Sequence, residues 1–137
     1  MAITTYDELK TSIADFLNRD DLTSVVPDFI TMAEADLNRN VRHWRMEGRA
    51  NANIDSKFSA IPGDFLEVIT FHTTTGNFRP IELLSQGELL QRREATQDTS
   101  GAPSFYAISA GEIEVYPTPD GVYSTQLYYY QRLSALS

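Results

Sequence analysis

PDFITMAEADLNRNVRHWR, residues 27–45, is the stretch from which the fold can be read. With Val26 before it, the apolar residues Ile30, Ala33, Leu37, Val41 and Trp44 recur at steps of three and four. That spacing lays them along one stripe of an α-helix, while Asp28, Glu34, Asn38, Arg42 and Arg45 point elsewhere. Pro27 suits a first helical turn, where a missing N–H costs nothing, and Gly48 serves as the stop. At 1.5 Å per residue such a helix is about 28 Å long. Trp44 is its largest apolar side chain and is expected to be buried, so that its loss to alanine would cost about 3–5 kcal/mol.

Working outward, Thr5-Tyr6-Asp7-Glu8 reads as a capping box that opens an earlier helix. Tyr6, Leu9, Ile13, Phe16 and Leu17 form its apolar stripe, and Asn18-Arg19-Asp20-Asp21 closes it. Asp7 and Glu8 sit where the helix dipole favours negative charge. Two helices joined by a short polar link are expected to lie antiparallel with their stripes together.

After Gly48 the period changes to two. Ala50, Ala52 and Ile54 alternate with Arg49, Asn51 and Asn53, which predicts a half-exposed strand. Turns are expected at Asp55-Ser56-Lys57 and Ile61-Pro62-Gly63-Asp64. Between them and Thr75-Gly76-Asn77 lies a strand, Phe65 to Thr73, apolar on both sides and so suited to the middle of a sheet. A short strand follows from Phe78 to Ile81. Ser85-Gln86-Gly87-Glu88 is a second capping box, for a helix near residues 85–94. The polar loop Ala95 to Pro103 leads into SFYAIS, EIEVY and YSTQLYYYQRL, expected as a three-strand meander with turns at Ala110-Gly111 and Pro117 to Gly121. The fold class is therefore α+β: an N-terminal antiparallel helical pair packed with a mainly antiparallel β-sheet or small sandwich. Residues 1–137 are expected to form a single domain, helical over 1–48 and β-rich over 49–137.

Composition narrows the function. The 137 residues are 42% hydrophobic, ordinary for a globular chain, and contain no cysteine, which excludes disulfides and thiolate metal sites. No apolar run approaches the ~20 residues that span a bilayer, and MAITTYDELK lacks a signal-peptide pattern, so folding in the cytoplasm with no membrane contact is expected. Nineteen acidic against eleven basic residues leave a net charge of −8, poorly suited to gripping phosphate backbones. A helix-turn-helix regulator of DNA is the alternative that residues 6–45 allow. Asp28, Glu34 and Asp36 would then crowd the helix meant for the major groove.

Reactive constellations are missing. His43 and His72 have no His-x-x-x-His or Glu-x-x-His spacing and read as surface or packing residues. Asp64 and Glu67 could be imagined as a carboxylate pair, but Asp64 is better explained as a turn residue. Ser104 and Ser109 have no histidine or lysine at a recognisable interval. Catalytic, cofactor-binding and metal-binding residues are accordingly none. The basic concentration Arg39, Arg42, Arg45, Arg49 and Lys57 begins on the last turns of the long helix, where positive charge complements the dipole. Arg42, Arg45 and Arg49 are also the candidates for contact with an acidic protein surface. Tyr128 and Tyr130, on a strand with aromatic residues to both sides, are the candidates for subunit packing.

The order IPGDFLEVITFH, ELLSQGELLQRRE and SGAPSFYAISAGEIEVYPTPDGVYSTQLYYYQRLSAL resembles the head-to-tail adaptor proteins of tailed bacteriophages. The opening TTYDELKTSIADFLNRDDLTSVVPDFITMAEADLNRNVR is similar to that family's N-terminal helical pair, so nearly the whole chain is covered. The run Ser100 to Tyr130 is the most specific part. The resemblance implies a structural virion protein at the head–tail interface, without enzymatic activity or cofactor. It implies a ring, commonly of twelve copies, docked beneath the portal protein. Such a ring extends the channel for passing genomic DNA and offers a tail or nozzle protein its attachment surface. Relatives usually continue past the last strand toward the portal, whereas this sequence stops at Ser137, which places that mode of gripping in question.

Overall fold

A computed structural model describes residues 2–137 of the chain. The residues divide into two compact units, one reaching to His43 and including Arg132–Ser137, the other spanning Trp44–Gln131.

The first unit holds α1 (Tyr6–Leu17) and α2 (Val26–Asn40), which touch each other. Thr5 caps α1 as expected: its hydroxyl accepts from the Glu8 N–H, and the Glu8 carboxylate accepts from the Thr4 and Thr5 N–H groups. Those backbone hydrogen bonds hold the Glu8 carboxyl below its usual pKa. Asn18 ends the helix in the left-handed conformation. The C-terminal residues run beside α2, where the Leu133 and Leu136 N–H groups donate to Asn38 and Glu34 side chains at 3.0 and 2.7 Å.

α2 is shorter than its apolar spacing predicts. It stops at Asn40, and Val41 is already extended. Arg42 explains the stop, because its guanidinium donates to the carbonyls of Asn38 and Val41, both at 2.9 Å, and so takes up acceptors that another turn would have used. Trp44 consequently lies in a separate 3-10 turn, Trp44–Met46, and is 67% exposed rather than buried. Met46, two residues on, is the buried one. The 3–5 kcal/mol expected of Trp44 is corrected accordingly. The Arg45 guanidinium lies 5.2 Å from its ring, so Trp44→Ala should destabilise the protein by no more than about 1 kcal/mol in chemical denaturation. The indole, the chain's only one, should emit as a water-exposed fluorophore.

The second unit is a two-sheet sandwich with a helix behind one sheet. Its first sheet orders β1 (Glu47–Ile54), β8 (Tyr123–Gln131), β3 (Phe65–Thr73) and β4 (Arg79–Pro80). Its second orders β2 (Phe58–Ala60), β7 (Glu112–Tyr116), β6 (Phe105–Ser109) and β5 (Glu82–Leu83). All pairings are antiparallel except β5 with β6. Between the sheets lie Ile54, Phe71, Ile81, Tyr106, Ile113, Val115, Leu127 and Tyr129. The chain is thus α+β with N-terminal helices and two mainly antiparallel sheets.

Two local expectations change. Gly48 does not stop a helix but pairs with Tyr129 inside β1; a Cβ there would come within 2.6 Å of the Gln131 side-chain oxygen, so the absent side chain admits its neighbours. The meander is also divided. β6 and β7 pair in the second sheet, but β8 crosses to the middle of the first, between β1 and β3. Pro117 and Pro119 leave the connection short of N–H donors for a tight hairpin, and β8 has eight residue positions of β1 and most of β3 to pair with instead.

On the far side of the second sheet, α3 (Gln86–Ala95) packs Leu89 against Ala107 and Tyr116. Ser85 and Glu88 form the second capping box as expected. Arg93 on α3 and Glu114 on β7 are both buried and meet at 3.2 Å. Gln86 donates to the same carboxylate at 2.7 Å, and the Lys57 ammonium stands 3.7 Å away. Arg93 also donates to the Val115 carbonyl at 3.0 Å and the Thr118 hydroxyl at 2.9 Å, and it pairs with Asp98, whose carboxyl it holds below the usual range.

Tyr106 is 2% exposed, and burial pushes its phenol up to about 12. The neutral phenol is therefore favoured by folding. That contribution is complete below the ordinary tyrosine value near 10 and is lost as pH rises from about 10 through 12. In a spectrophotometric titration of the native protein, Tyr106→Phe should remove a phenol that ionises near pH 12. Loss of one that ionises near pH 10 would contradict this.

Candidate protein interface

Side chains of β1, β8 and β3 that point away from the second sheet share one face. Pairing of Arg49 with Tyr128, and of Tyr128 with Thr70, sets these three in a row across the sheet. Glu47, Tyr130 and Glu67 make the row on one side of it, and Asn51, Gln126 and His72 the row on the other. Period-two alternation thus collects Arg49, Tyr128 and Tyr130 on a single surface. The His72 ring stacks on Tyr128 with centroids 6.2 Å apart and meets Phe78 at 5.7 Å, and Phe78 is 75% exposed.

Further along, the face is polar and uncharged. Gln126 donates to the Asn51 side chain and Ser124 to the Asn53 side chain, each at 3.0 Å. The Thr74 hydroxyl donates to the Ser124 carbonyl at 3.2 Å, and the Ser124 N–H to the Thr75 hydroxyl at 2.7 Å. Asn51, Asn53, Thr74, Ser124 and Gln126 line a shallow open depression of about 450 Å³. None of these groups titrates near neutrality, so the arrangement can hydrogen-bond a partner but offers no acid, base or nucleophile of tuned strength. Among the described residues, no cluster of three or more His, Cys, Asp or Glu side chains is placed to hold a metal ion. No helix among them is long and apolar enough to cross a membrane.

Arg42 belongs to the first unit and caps α2; Arg45 belongs to the second and lies over the Trp44 ring. His72, read from the sequence as a surface or packing residue, packs on Tyr128 and Phe78, whereas Phe78 and the Asn51–Gln126 ladder are assigned no such role there. The alternation Asn51-Ala52-Asn53 was the available signal, but only the strand register shows which residues complete it. Asp64, read as a turn residue, also accepts the Tyr129 hydroxyl at 2.9 Å and so ties its turn to β8.

The most developed surface feature of this α+β chain is thus a hydrogen-bonding, aromatic sheet face. The family described as SU10 adaptor protein matches residues 4–137, and the chain belongs to this family of bacteriophage head-to-tail adaptors. It is a structural phage protein and a component of the virion. No curated protein matches the chain.

Proposed function

We propose that copies of this chain form a ring, of twelve by family resemblance, beneath the portal protein. The ring extends the DNA channel and offers the tail or nozzle protein its attachment surface, and the chain works without catalysis or a cofactor. The observation that carries this is the sheet face on which Arg49, Tyr128 and Tyr130 are brought together, in a chain whose family is one of adaptors. A ring requires each copy to present two different, complementary flanks that close by rotation. A net charge of −8 suits a channel wall along which DNA slides without being held. Arg42 and Arg45 are assigned to contact with the portal or a neighbouring copy.

Native mass measurement of the protein alone and with portal rings tests this. Twelve copies should bind each twelve-fold portal ring, and the double reversal Arg42→Glu/Arg45→Glu should weaken docking at least tenfold, about 1.4 kcal/mol. No association with any portal ring would overturn the reading, and undiminished docking of the double variant would remove the two arginines from it. Regulation of DNA by a helix-turn-helix gains no support from the structure, since α2 exposes Asp28 and Asp36. Duplex binding in a gel shift at physiological salt would revive it.

A further inference from the structure

The four sheet edges of the second unit are not alike. β4, β5 and β2 are two, two and three residues long, and β4 ends in Pro80. Short edges of this kind keep other chains from adding a strand. β1 is different: eight residues, paired without a bulge along its whole length to β8, with no further strand beside it among the described residues. Of its residues that face the other sheet, only Ile54 is large and buried; Gly48, Ala50 and Ala52 are small, and Ala52 is exposed, so the rim of the core is open there. The opposite side of the same sheet is half covered. β4 pairs only with His72 and Thr73, and the Ile81 N–H donates to the Phe71 carbonyl. Residues 66–70 of β3 have no strand on that side among the described residues, and Glu67, Ile69 and Thr70 are exposed.

We propose that this sheet continues from copy to copy, the β1 edge of one copy adding to residues 66–70 of β3 in the next. The proposal rests on the ring reading above and names the contact that would close it. Direction agrees with that geometry. β1 and β3 are each antiparallel to β8 and so run the same way. Rotation about a ring axis preserves that direction, and β1 meets the neighbouring β3 as a parallel pair, a heterologous contact. Charge agrees as well. Arg49 and Glu67 lie on the same face of the sheet, one at each edge. A register that sets Asn51 beside the neighbour's Glu67 leaves Arg49 one diagonal step from that carboxylate, within reach of a long side chain. Two β1 edges meeting each other would instead bring Glu47 toward Asp55 and would stop at a dimer.

The absence of cysteine makes the test clean. In Asn51→Cys/Glu67→Cys, the two positions in one molecule are separated across β8 by two strand spacings, about 9.6 Å, and further along it because they pair with Gln126 and Tyr130, beyond the ~4.4–6.8 Å between Cα atoms that a disulfide allows. Oxidised on portal rings, this variant should give a ladder of covalent multimers up to the ring number. Independently, Arg49→Glu should weaken ring assembly about tenfold, and adding Glu67→Arg should restore it to within twofold. Rings that assemble with no ladder, and with no rescue by the charge exchange, overturn the proposal and leave the ring reading standing. Dimers from Asn51→Cys alone also overturn it, in favour of β1 pairing with itself. Failure of the unaltered protein to assemble on the portal removes the ring reading and the proposal together.

Discussion

Glu114→Ala should lower stability by about 3–5 kcal/mol, roughly 10 °C or more in melting temperature for a chain of this size. The reason is not the lost attraction alone. Arg93 is 7% exposed, and its Nε already lacks a hydrogen-bond partner. Without Glu114 the guanidinium keeps the Val115 carbonyl, the Thr118 hydroxyl and the half-exposed Asp98, but loses the only other buried charge that offsets its removal from water. Lys57 and Gln86 lose their acceptor at the same time. Replacing both partners by apolar residues, Arg93→Met with Glu114→Leu, should recover most of the loss, because neither desolvated charge then remains. Urea unfolding of the two single variants and the pair measures this directly. A Glu114→Ala cost below about 1 kcal/mol, or a double variant weaker than either single one, would refute the account.

Phe71→Ala is the second large effect, expected at about 3–5 kcal/mol. Phe71 is 4% exposed in the middle of β3 and meets the Tyr106 ring edge-on, with centroids 5.1 Å apart. This contact joins the two sheets, and such aromatic pairs add about 0.5–1.5 kcal/mol to the area they bury. Alanine would leave a cavity between two hydrogen-bonded layers whose backbones have little freedom to close it. Phe71→Leu refills most of the volume and should cost under half as much. The urea midpoint should fall while the slope stays unchanged, since the surface exposed on unfolding is nearly the same. The penalty that the sequence alone assigns to Trp44 thus falls on Phe71.

Local features of this protein were legible in its sequence because they are decided by residues three or four apart. Thr5 with Glu8 and Ser85 with Glu88 announce two helix starts, and both capping boxes form. The apolar run Phe65 to Thr73 announces β3, whose bounds are the same. The α+β class and the adaptor family follow from the order of such pieces. What the tertiary structure decided depends on groups distant along the chain or on competing capping. Arg42 turns its guanidinium back onto α2 and ends it before the apolar spacing does, which moves Trp44 into water. β8 leaves its sequence neighbour β7 for β1 and β3, and only that pairing sets Arg49 beside Tyr128 and so builds the candidate face. Periodicity tells which way a side chain points along its own strand; which strand lies alongside is settled by burial and backbone hydrogen bonding summed over the whole sandwich.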